Sequence, residues 1–178
     1  MLRYLGSLAA LLSMQTVALV VTPVLPLFAR EREGGIDNNK EIGLGPRLPT
    51  WLSWFDTPDN SLNGDARFSL ENKESYWSKV RWLYRNQLYG FKWTVLSMAV
   101  KPEQQTREGS ADIGYQGHRY GKLKITQPNG AWQYKIVRPL FGRVFEGNFG
   151  WLLDDTSKER ALFMFSPRIK KTTQCKTT

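Results

Sequence analysis

The feature that most constrains this chain is an apolar run near its N-terminus. From Tyr4 to Ala29, 26 consecutive residues carry no charged side chain, and charged residues flank the run at Arg3 and from Arg30 onward. As a helix rising 1.5 Å per residue, the run would be about 39 Å long, whereas the hydrocarbon core of a bilayer is roughly 30 Å thick. We therefore predict that residues 1–30 form an N-terminal transmembrane anchor.

Two prolines near the end of the run, Pro23 and Pro26, predict that the regular helix stops near Val21. Two alternatives stay open for this segment, namely a cleaved signal peptide, which usually has a shorter apolar core, and a buried apolar helix. Basic residues are more frequent after the run than before it, which favours a cytoplasmic C-terminal part. Those within about twenty residues after the run are Arg30, Arg32, Lys40 and Arg47.

The rest of the chain has the composition of a small basic globular protein. Hydrophobic residues make up 41% of the 178 residues, aromatic residues 13%, and the net charge is +9, which excludes an intrinsically disordered polar chain. A single cysteine excludes a disulfide framework within the monomer and a cysteine-rich zinc module. A single histidine excludes a metal cage built on several histidines.

Composition changes along the chain predict three segments after the anchor. Glycine and charged residues dominate residues 31–48, which we interpret as a flexible linker. Residues 49–166 carry most of the remaining apolar side chains and predict a small α+β domain. Residues 167–178 contain basic residues and no acidic residue, and predict a mobile basic tail.

Helical periodicity is clearest in one stretch of the domain. Asn72 can cap a helix over about residues 73–89, and Gly90 can end it. The apolar positions recur at helical spacing, and they are Tyr76, Val80, Leu83, Tyr84 and Leu88. We predict that this main helix packs on a β-sheet that follows it.

The periodicity after the main helix predicts strands. Residues 91–100 are rich in aromatic and β-branched side chains and predict one strand. From Gly114 onward apolar and polar residues alternate, and Asn129-Gly130 predicts a tight turn. This second stretch predicts a four-stranded antiparallel meander.

Three aromatic residues stand just after the linker, at Trp51, Trp54 and Phe55. Their i, i+3, i+4 spacing predicts one face of a short helical turn, which Pro58 would end. We expect these rings to enter the domain core, because large aromatic residues dominate small cores. The alternative is an anchor that places the tryptophans among lipid headgroups.

The densest polar stretch, residues 56–65, resembles half of a calcium-binding loop. Four alternate side chains could converge on a cation there, namely Asp59, Ser61, Asn63 and Asp65. The match fails at the twelfth position, where Leu70 stands and Glu71 comes one residue late. A loop whose polar side chains cap their own backbone is the favoured interpretation, and we predict no metal and no cofactor.

No arrangement of residues predicts catalysis, so we expect a protein that is not an enzyme and has no catalytic residue. His118 lies alone in a glycine-flanked turn, Cys175 lies in the basic tail, and the chain has no phosphate-binding glycine loop. Basic and aromatic residues do interleave on the predicted strands, as in Lys122, Lys124, Trp132, Tyr134 and Lys135. This pattern suits anionic lipid, and a nucleic acid is a less favoured partner.

Three blocks of sequence resemble a family of small uncharacterised membrane-anchored proteins of tailed bacteriophages. Its central block, Trp-Phe-x-Thr-Pro-Asp-Asn-x-Leu-x-Gly-Asp, is matched by residues 54–65, although Asn63 stands where the family favours Asp. A second block is matched by Trp82–Asn86 and Tyr89–Phe91, and the ending by Phe163–Pro167. A Pro-x-x-Pro element at Pro23–Pro26 is also similar. The resemblance covers the chain from about residue 20 and implies phage origin and a membrane anchor, but no reaction.

Taken together, these features predict a non-enzymatic phage protein in the host inner membrane, with a single transmembrane pass and a cytoplasmic C-terminal domain. Its partner would be a host or phage protein, in host takeover or exclusion of a competing phage. A membrane-tethered nucleic-acid-binding module and a structural component of the virion are alternatives. The candidate interaction residues are Trp51, Trp54, Phe55, Asp56, Pro58, Asp59, Asn60, Asn63, Gly64, Asp65, Trp82, Tyr84, Arg85 and Asn86.

Overall fold

The computed structural model describes residues 2–33, 44–110, 113, 120–154 and 159–171. It divides into two compact units, Met1–Leu96 and Ser97–Thr178, where we had expected a single domain over residues 49–166. An apolar N-terminal helix is followed by short helices and antiparallel sheets, so the α+β class is confirmed.

Helix α1 spans Leu2–Val21 and is followed by a 3₁₀ turn over Leu25–Phe28, so the predicted end near Val21 is confirmed. Within the described part of the chain, α1 is the one helix that is long and apolar enough to cross a membrane. A signal sequence near an N-terminus can pass the same test of length and composition.

One stripe of α1 is buried and a neighbouring stripe is open. The buried stripe is Tyr4, Leu11 and Ala18, and the open stripe includes Leu5, Leu12 and Leu19, each about half-exposed. A helix that is apolar on all sides needs a buried or lipid environment. The open stripe is therefore suited to contact with lipid.

The ends of the expected flexible linker, residues 31–48, are ordered, and our prediction is wrong there. Strand β1, Arg30–Arg32, pairs antiparallel with strand β2, Gly45–Arg47. Gly45 is buried, and a Cβ atom on it would lie 2.7 Å from the Ser61 Cβ atom. The glycine therefore permits close packing here and does not mark flexibility. Residues 34–43 lie outside the described residues.

Three short helices, α2 (Ala66–Glu71), α3 (Tyr76–Arg85) and α4 (Tyr89–Thr94), take the place of the predicted main helix and its neighbours. Ser75 caps α3 in a capping box, whereas Asn72 donates its side-chain amide to the Phe68 carbonyl at the end of α2. Gly90 does not end a helix, because it lies in the first turn of α4.

The expected strand over residues 91–100 is mostly wrong. Its first half belongs to α4, and only strand β3, Met98–Ala99, is extended; it pairs with β8, Arg160–Ala161. Aromatic residues in the first half fit a helix here because they pack locally: Phe91 lies edge-on to Trp54, with ring centroids 5.4 Å apart.

The core of the first unit joins the exit of α1 to α2, α3 and the segment between them. It consists of buried residues from six segments, namely Leu25, Leu48, Leu52, Leu62, Phe68, Trp82 and Leu83, with Val21, Ala29 and Phe55 packed against it. Because residues next to the apolar helix belong to this core, the first unit begins inside the segment predicted to be only an anchor.

The second unit is a five-stranded antiparallel sheet in the order β4-β5-β6-β7-β9. Its strands are β4 (Thr106–Gly109), β5 (Gly121–Thr126), β6 (Trp132–Leu140), β7 (Arg143–Trp151) and β9 (Phe163–Lys171). The predicted meander is confirmed as β5, β6, β7 and β9, and β4 adds an edge.

The basic tail predicted from residue 167 is ordered at its start, since β9 continues through Lys171 and pairs with β7. β9 is an edge strand, and Pro167 and its lysines discourage pairing with a further strand. Residues 172–178 lie outside the described part of the chain, as do His118 and Cys175.

Candidate functional site

The C-terminal end of α1 is fixed to α3 by tyrosine side chains. The Tyr84 hydroxyl donates to the Leu19 carbonyl at 2.9 Å, and the Tyr76 hydroxyl donates to the Pro23 carbonyl. Gln15 also reaches Gln87 at 3.3 Å. Carbonyl groups in the last turn of a helix have no partner within the helix, and the tyrosines supply one. The exit of α1 is thus a structured junction.

Two tryptophans near this junction are exposed, which corrects our expectation that they enter the core. Trp51 is 72% exposed and Trp54 is 45% exposed, while Phe55 packs against the core. A 3₁₀ turn over Thr50–Leu52 directs the buried Leu52 inward instead. The Trp51 ring lies edge-on to Phe28, with centroids 5.7 Å apart, directly beyond the end of α1.

Asp56 is a buried carboxylate that joins two segments of the first unit. Its side chain accepts hydrogen bonds from the Leu48 amide at 3.1 Å and the Thr57 amide at 2.9 Å. Burial raises the pKa of Asp56 from 3.8 to about 6, because loss of hydration outweighs the opposing effects of these amides and of the Arg47 and Arg32 charges.

The rest of the Asp56–Asp65 loop is organised by its own backbone. The Thr57 hydroxyl donates to the Asn60 carbonyl at 2.7 Å, and Arg47 donates to the same carbonyl at 3.1 Å. Pro58 is buried, and Gly64 has a φ of +89°, which favours glycine. Phe68 and Trp82 side-chain atoms would also lie within 3.0 Å of a Cβ atom at Gly64.

The four weak candidates for cation ligands have separate partners. Asp59 accepts from the Tyr89 hydroxyl at 3.4 Å, and Ser61 accepts from the Asn63 amide at 3.3 Å. The Asn63 side chain donates to Glu74 at 2.8 Å, and Asp65 accepts from the Phe68 amide at 2.7 Å as the cap of α2. Among the described residues, no group of three or more His, Cys, Asp or Glu is arranged to hold a metal.

The second block of candidate residues completes this packing. Trp82 is buried against Phe68, with ring centroids 5.0 Å apart, and Arg85 stacks over both rings at 5.5 and 5.8 Å. Asn86 ends α3 by donating its backbone and side-chain amides to the Trp82 carbonyl. The two blocks recognised in the sequence therefore meet in space, and most of their residues hold the first unit together.

The buried carboxylate predicts a specific pH dependence. The folded-state pKa of Asp56, about 6, lies above the ordinary value of 3.8, so the folded state disfavours the charged form. The free energy of unfolding should fall as pH rises from about 4 to about 6, by about 3 kcal/mol, and stay level above that range. Urea unfolding of detergent-solubilised protein at several pH values measures this.

Asp56→Asn is the matched variant for this measurement, since the amide keeps one acceptor and cannot ionise. Its unfolding free energy should not fall between pH 4 and pH 6. A fall of the same size in the variant would assign the pH dependence to another group.

In the second unit, the strand register places four of the five expected basic and aromatic residues on one face of the sheet and only Lys135 on the other. Cross-strand pairing places Lys124, Tyr134, Phe149 and Phe165 in one row on the same face. Phe149 and Phe165 have ring centroids 5.9 Å apart, and Lys124 is exposed. Lys135 lies on the opposite face, where it forms an ion pair with Asp154. The basic and aromatic set predicted from sequence is therefore split.

The turn between β6 and β7 contains a residue that our sequence analysis did not single out. Phe141 is 98% exposed and has a φ of +46°, in the left-handed region that disfavours side chains with a Cβ atom. Gly142 follows with a φ of +72°. The available signal was a large aromatic residue immediately before the glycine of a tight turn, where Asn or Gly is usual.

Phe141→Asn should stabilise the protein, because asparagine tolerates the left-handed conformation of this turn and no packing is lost from an exposed side chain. The expected gain is about 0.5–1 kcal/mol in the free energy of unfolding, measured by urea titration. Phe165→Asn, which changes a 44% exposed ring within a strand, is the control and should be destabilising. Equal effects of the two substitutions would contradict strain at Phe141.

Comparison with models of protein families identifies the family of this chain. The chain belongs to DUF7338, a family of unknown function. The family model matches residues 1–174, which is nearly the whole chain. Comparisons with curated proteins and with solved structures found no match. Nothing in the family description indicates an enzymatic activity.

Proposed function

We propose that this DUF7338 protein is a non-enzymatic protein of tailed bacteriophages that is anchored in the host inner membrane by α1. It has a single transmembrane pass and holds its C-terminal part at the cytoplasmic surface, where it binds a host or phage protein. The observation that carries the proposal is α1 itself, which is 20 residues long, uncharged after Arg3, and open along a leucine stripe.

The structured exit of α1 supports this role. Because Tyr76 and Tyr84 hold the carbonyls of Pro23 and Leu19, the first unit is attached directly to the anchor. An unstructured tether would let the domain sample a large volume, whereas this junction keeps the first unit close to the bilayer. Most of the loop residues serve packing, which agrees with a binding protein better than with an enzyme.

Membrane fractionation combined with protease protection tests the anchor and its orientation. Full-length protein with a C-terminal tag should remain in the inner membrane after alkaline extraction, and the tag should be protected in spheroplasts. A shortened protein in the periplasm would show a cleaved signal sequence. Digestion of the tag would reverse the proposed orientation.

A matched pair of double variants tests whether α1 is the anchor. Ala9→Arg with Leu12→Arg places two charges on exposed positions near the centre of α1, where each costs about 3 kcal/mol in a bilayer. Ala66→Arg with Leu70→Arg places the same charges on exposed positions of α2. The first pair should release the protein from membranes and the second should not. If both pairs, or neither, release the protein from membranes, α1 is not the anchor.

A membrane-tethered nucleic-acid-binding module is a second candidate, favoured by the row Lys124, Tyr134, Phe149 and Phe165. A sheet face with aromatic rings and lysines can stack bases and contact phosphates. For this candidate, the affinity of detergent-solubilised protein for a single-stranded oligonucleotide should fall linearly with salt on a double-logarithmic plot. Lys124→Gln should weaken binding and Lys135→Gln, on the opposite face, should not. No binding at low salt rejects this candidate.

A further inference from the structure

The β6–β7 turn carries at its tip a phenylalanine that the fold does not require. Phe141 at the tip is almost fully exposed and has a left-handed backbone, so neither packing nor turn geometry accounts for a phenylalanine there. Turn sequences with Asn or Gly would form the same turn with less strain. A side chain that is unfavourable for folding and open to solvent is a candidate for contact with a partner.

Basic residues surround the tip on one face of the sheet. Cross-strand pairing places Leu140, Arg143 and Lys171 in one row, and Arg138, Phe145 and Ile169 in a row further from the tip. Arg138, Arg143 and Lys171 are exposed, and Ile169 is 57% exposed. Neither row contains an acidic residue. Glu146, the next residue after Phe145, lies on the other face and pairs with Lys170.

We propose that this surface, formed by Phe141, Arg138, Arg143, Ile169 and Lys171 and here called the tip surface, docks on an anionic lipid bilayer. Phe141 enters the headgroup layer and the three cations contact lipid phosphates. An apolar aromatic side chain can insert at the boundary between headgroups and acyl chains, and basic residues beside it are attracted to the negative potential of an anionic leaflet. The inference rests on the proposed anchoring, which places the sheet within reach of a bilayer.

The arrangement favours lipid over a nucleic acid as the occupant. Base stacking uses rings laid flat on a sheet, as in the row of Tyr134 and Phe149, whereas Phe141 projects from a turn beyond the ends of the strands. A projecting apolar tip surrounded by cations matches a planar anionic surface with an apolar interior. It also gives the second unit a membrane contact of its own, distinct from α1.

An environment-sensitive fluorophore at position 141 tests the proposal in the full-length chain. The only cysteine is first removed by Cys175→Ser, and Phe141→Cys is labelled and reconstituted into vesicles of phosphatidylcholine with or without phosphatidylglycerol. Emission should shift to shorter wavelength and become protected from an aqueous quencher in the anionic vesicles. Pro128→Cys, an exposed residue in the β5–β6 turn at the other end of β6, is the matched control and should stay aqueous.

Charge variants sharpen the test. In the protein labelled at position 141, Arg143→Gln should lower the ratio of membrane-inserted to free label about fivefold. This factor corresponds to the loss of one basic residue's attraction to an anionic surface, about 1 kcal/mol. Arg107→Gln, an exposed arginine on edge strand β4, should leave the ratio unchanged.

If the label at position 141 remains in water in both kinds of vesicle while the protein still floats with the vesicles, the tip surface does not dock on lipid. That result would leave the proposed anchor unaffected. Protein that does not float would instead reject the anchor. Quenching of an aqueous label by an added single-stranded oligonucleotide would assign the tip surface to nucleic acid and overturn the lipid proposal.

Discussion

Gly90→Ala should destabilise the first unit by about 3 kcal/mol, because the added methyl group has no space. Its Cβ atom would lie 1.9 Å from the Ser53 carbonyl oxygen and 2.8 Å from the Asp56 carbonyl oxygen. Both neighbours are backbone atoms, so no side-chain rotation relieves the contact. Helix α4 would have to move away from the turn at residues 53–56.

That movement would also break the hydrogen bonds that begin α4. The Gly90 amide donates to the Asp56 carbonyl and the Phe91 amide donates to the Trp54 carbonyl, each at 2.9 Å. These bonds satisfy amides that the first turn of a helix cannot satisfy itself. Hydrogen–deuterium exchange of detergent-solubilised protein should show faster exchange in the first unit, since the two units need not unfold as one.

Gly130→Ala is the matched control for this experiment. Gly130 has a φ of +82°, and no atom lies within 4 Å of the place that a Cβ atom would take, so alanine there has a conformational cost without a clash. We expect a loss of about 1 kcal/mol, confined to the second unit. Equal destabilisation by the two substitutions would show that the Gly90 contact is not decisive.

Gln133→Leu should destabilise the second unit by about 4 kcal/mol. Gln133 is fully buried on β6, and its side-chain oxygen accepts hydrogen bonds from the Leu153 amide at 2.8 Å and the Asp154 amide at 2.9 Å. Its amide nitrogen donates to Asn148 at 3.1 Å and to the Asp154 carboxylate at 2.9 Å. Leucine has a similar volume and would leave all four groups without this partner.

Two further variants separate the hydrogen-bond network from packing. Gln105→Leu removes one bond to the Leu153 carbonyl together with exposed contacts from Arg107, and should cost about 1 kcal/mol. Gln133→Glu keeps the acceptor but places a second carboxylate beside Asp154, so its stability should recover as the pH is lowered. Thermal unfolding, monitored by hydrogen–deuterium exchange in the second unit, measures the stability of all three variants. A loss below about 1 kcal/mol for Gln133→Leu would contradict the role of the network.

The candidate residues show which features of a site can be predicted from sequence patterns. The structure brings the blocks at residues 54–65 and 82–91 together. Their role as packing elements could not be read from the sequence, because it depends on contacts such as that between Asp56 and the Leu48 amide. In the half-match to a calcium loop, Ser61 and Asp65 bond to amides only two and three residues along the chain. Asp59 and Asn63 bond to the more distant Tyr89 and Glu74, and the sequence does not predict these partners.

The sequence by itself determined the elements that follow from local periodicity. The two prolines near the end of the uncharged run determined where α1 ends, since proline disfavours continuation of a helix. Alternation of apolar and polar residues, with Asn129-Gly130 at a turn, determined the antiparallel meander. These features depend on residues that are neighbours in the chain.

Only the tertiary structure decided the features that depend on distant residues. Gly45 and Leu48, within a glycine- and charge-rich segment, are buried because Ser61 and Asp56 meet them from the following loop. Leu52 enters the core in place of Trp51 because a 3₁₀ turn sets its direction. Phe141 is exposed at a turn that local preference would not assign to it. At Gly45 and Leu48, long-range packing outweighed a local preference of about 1 kcal/mol.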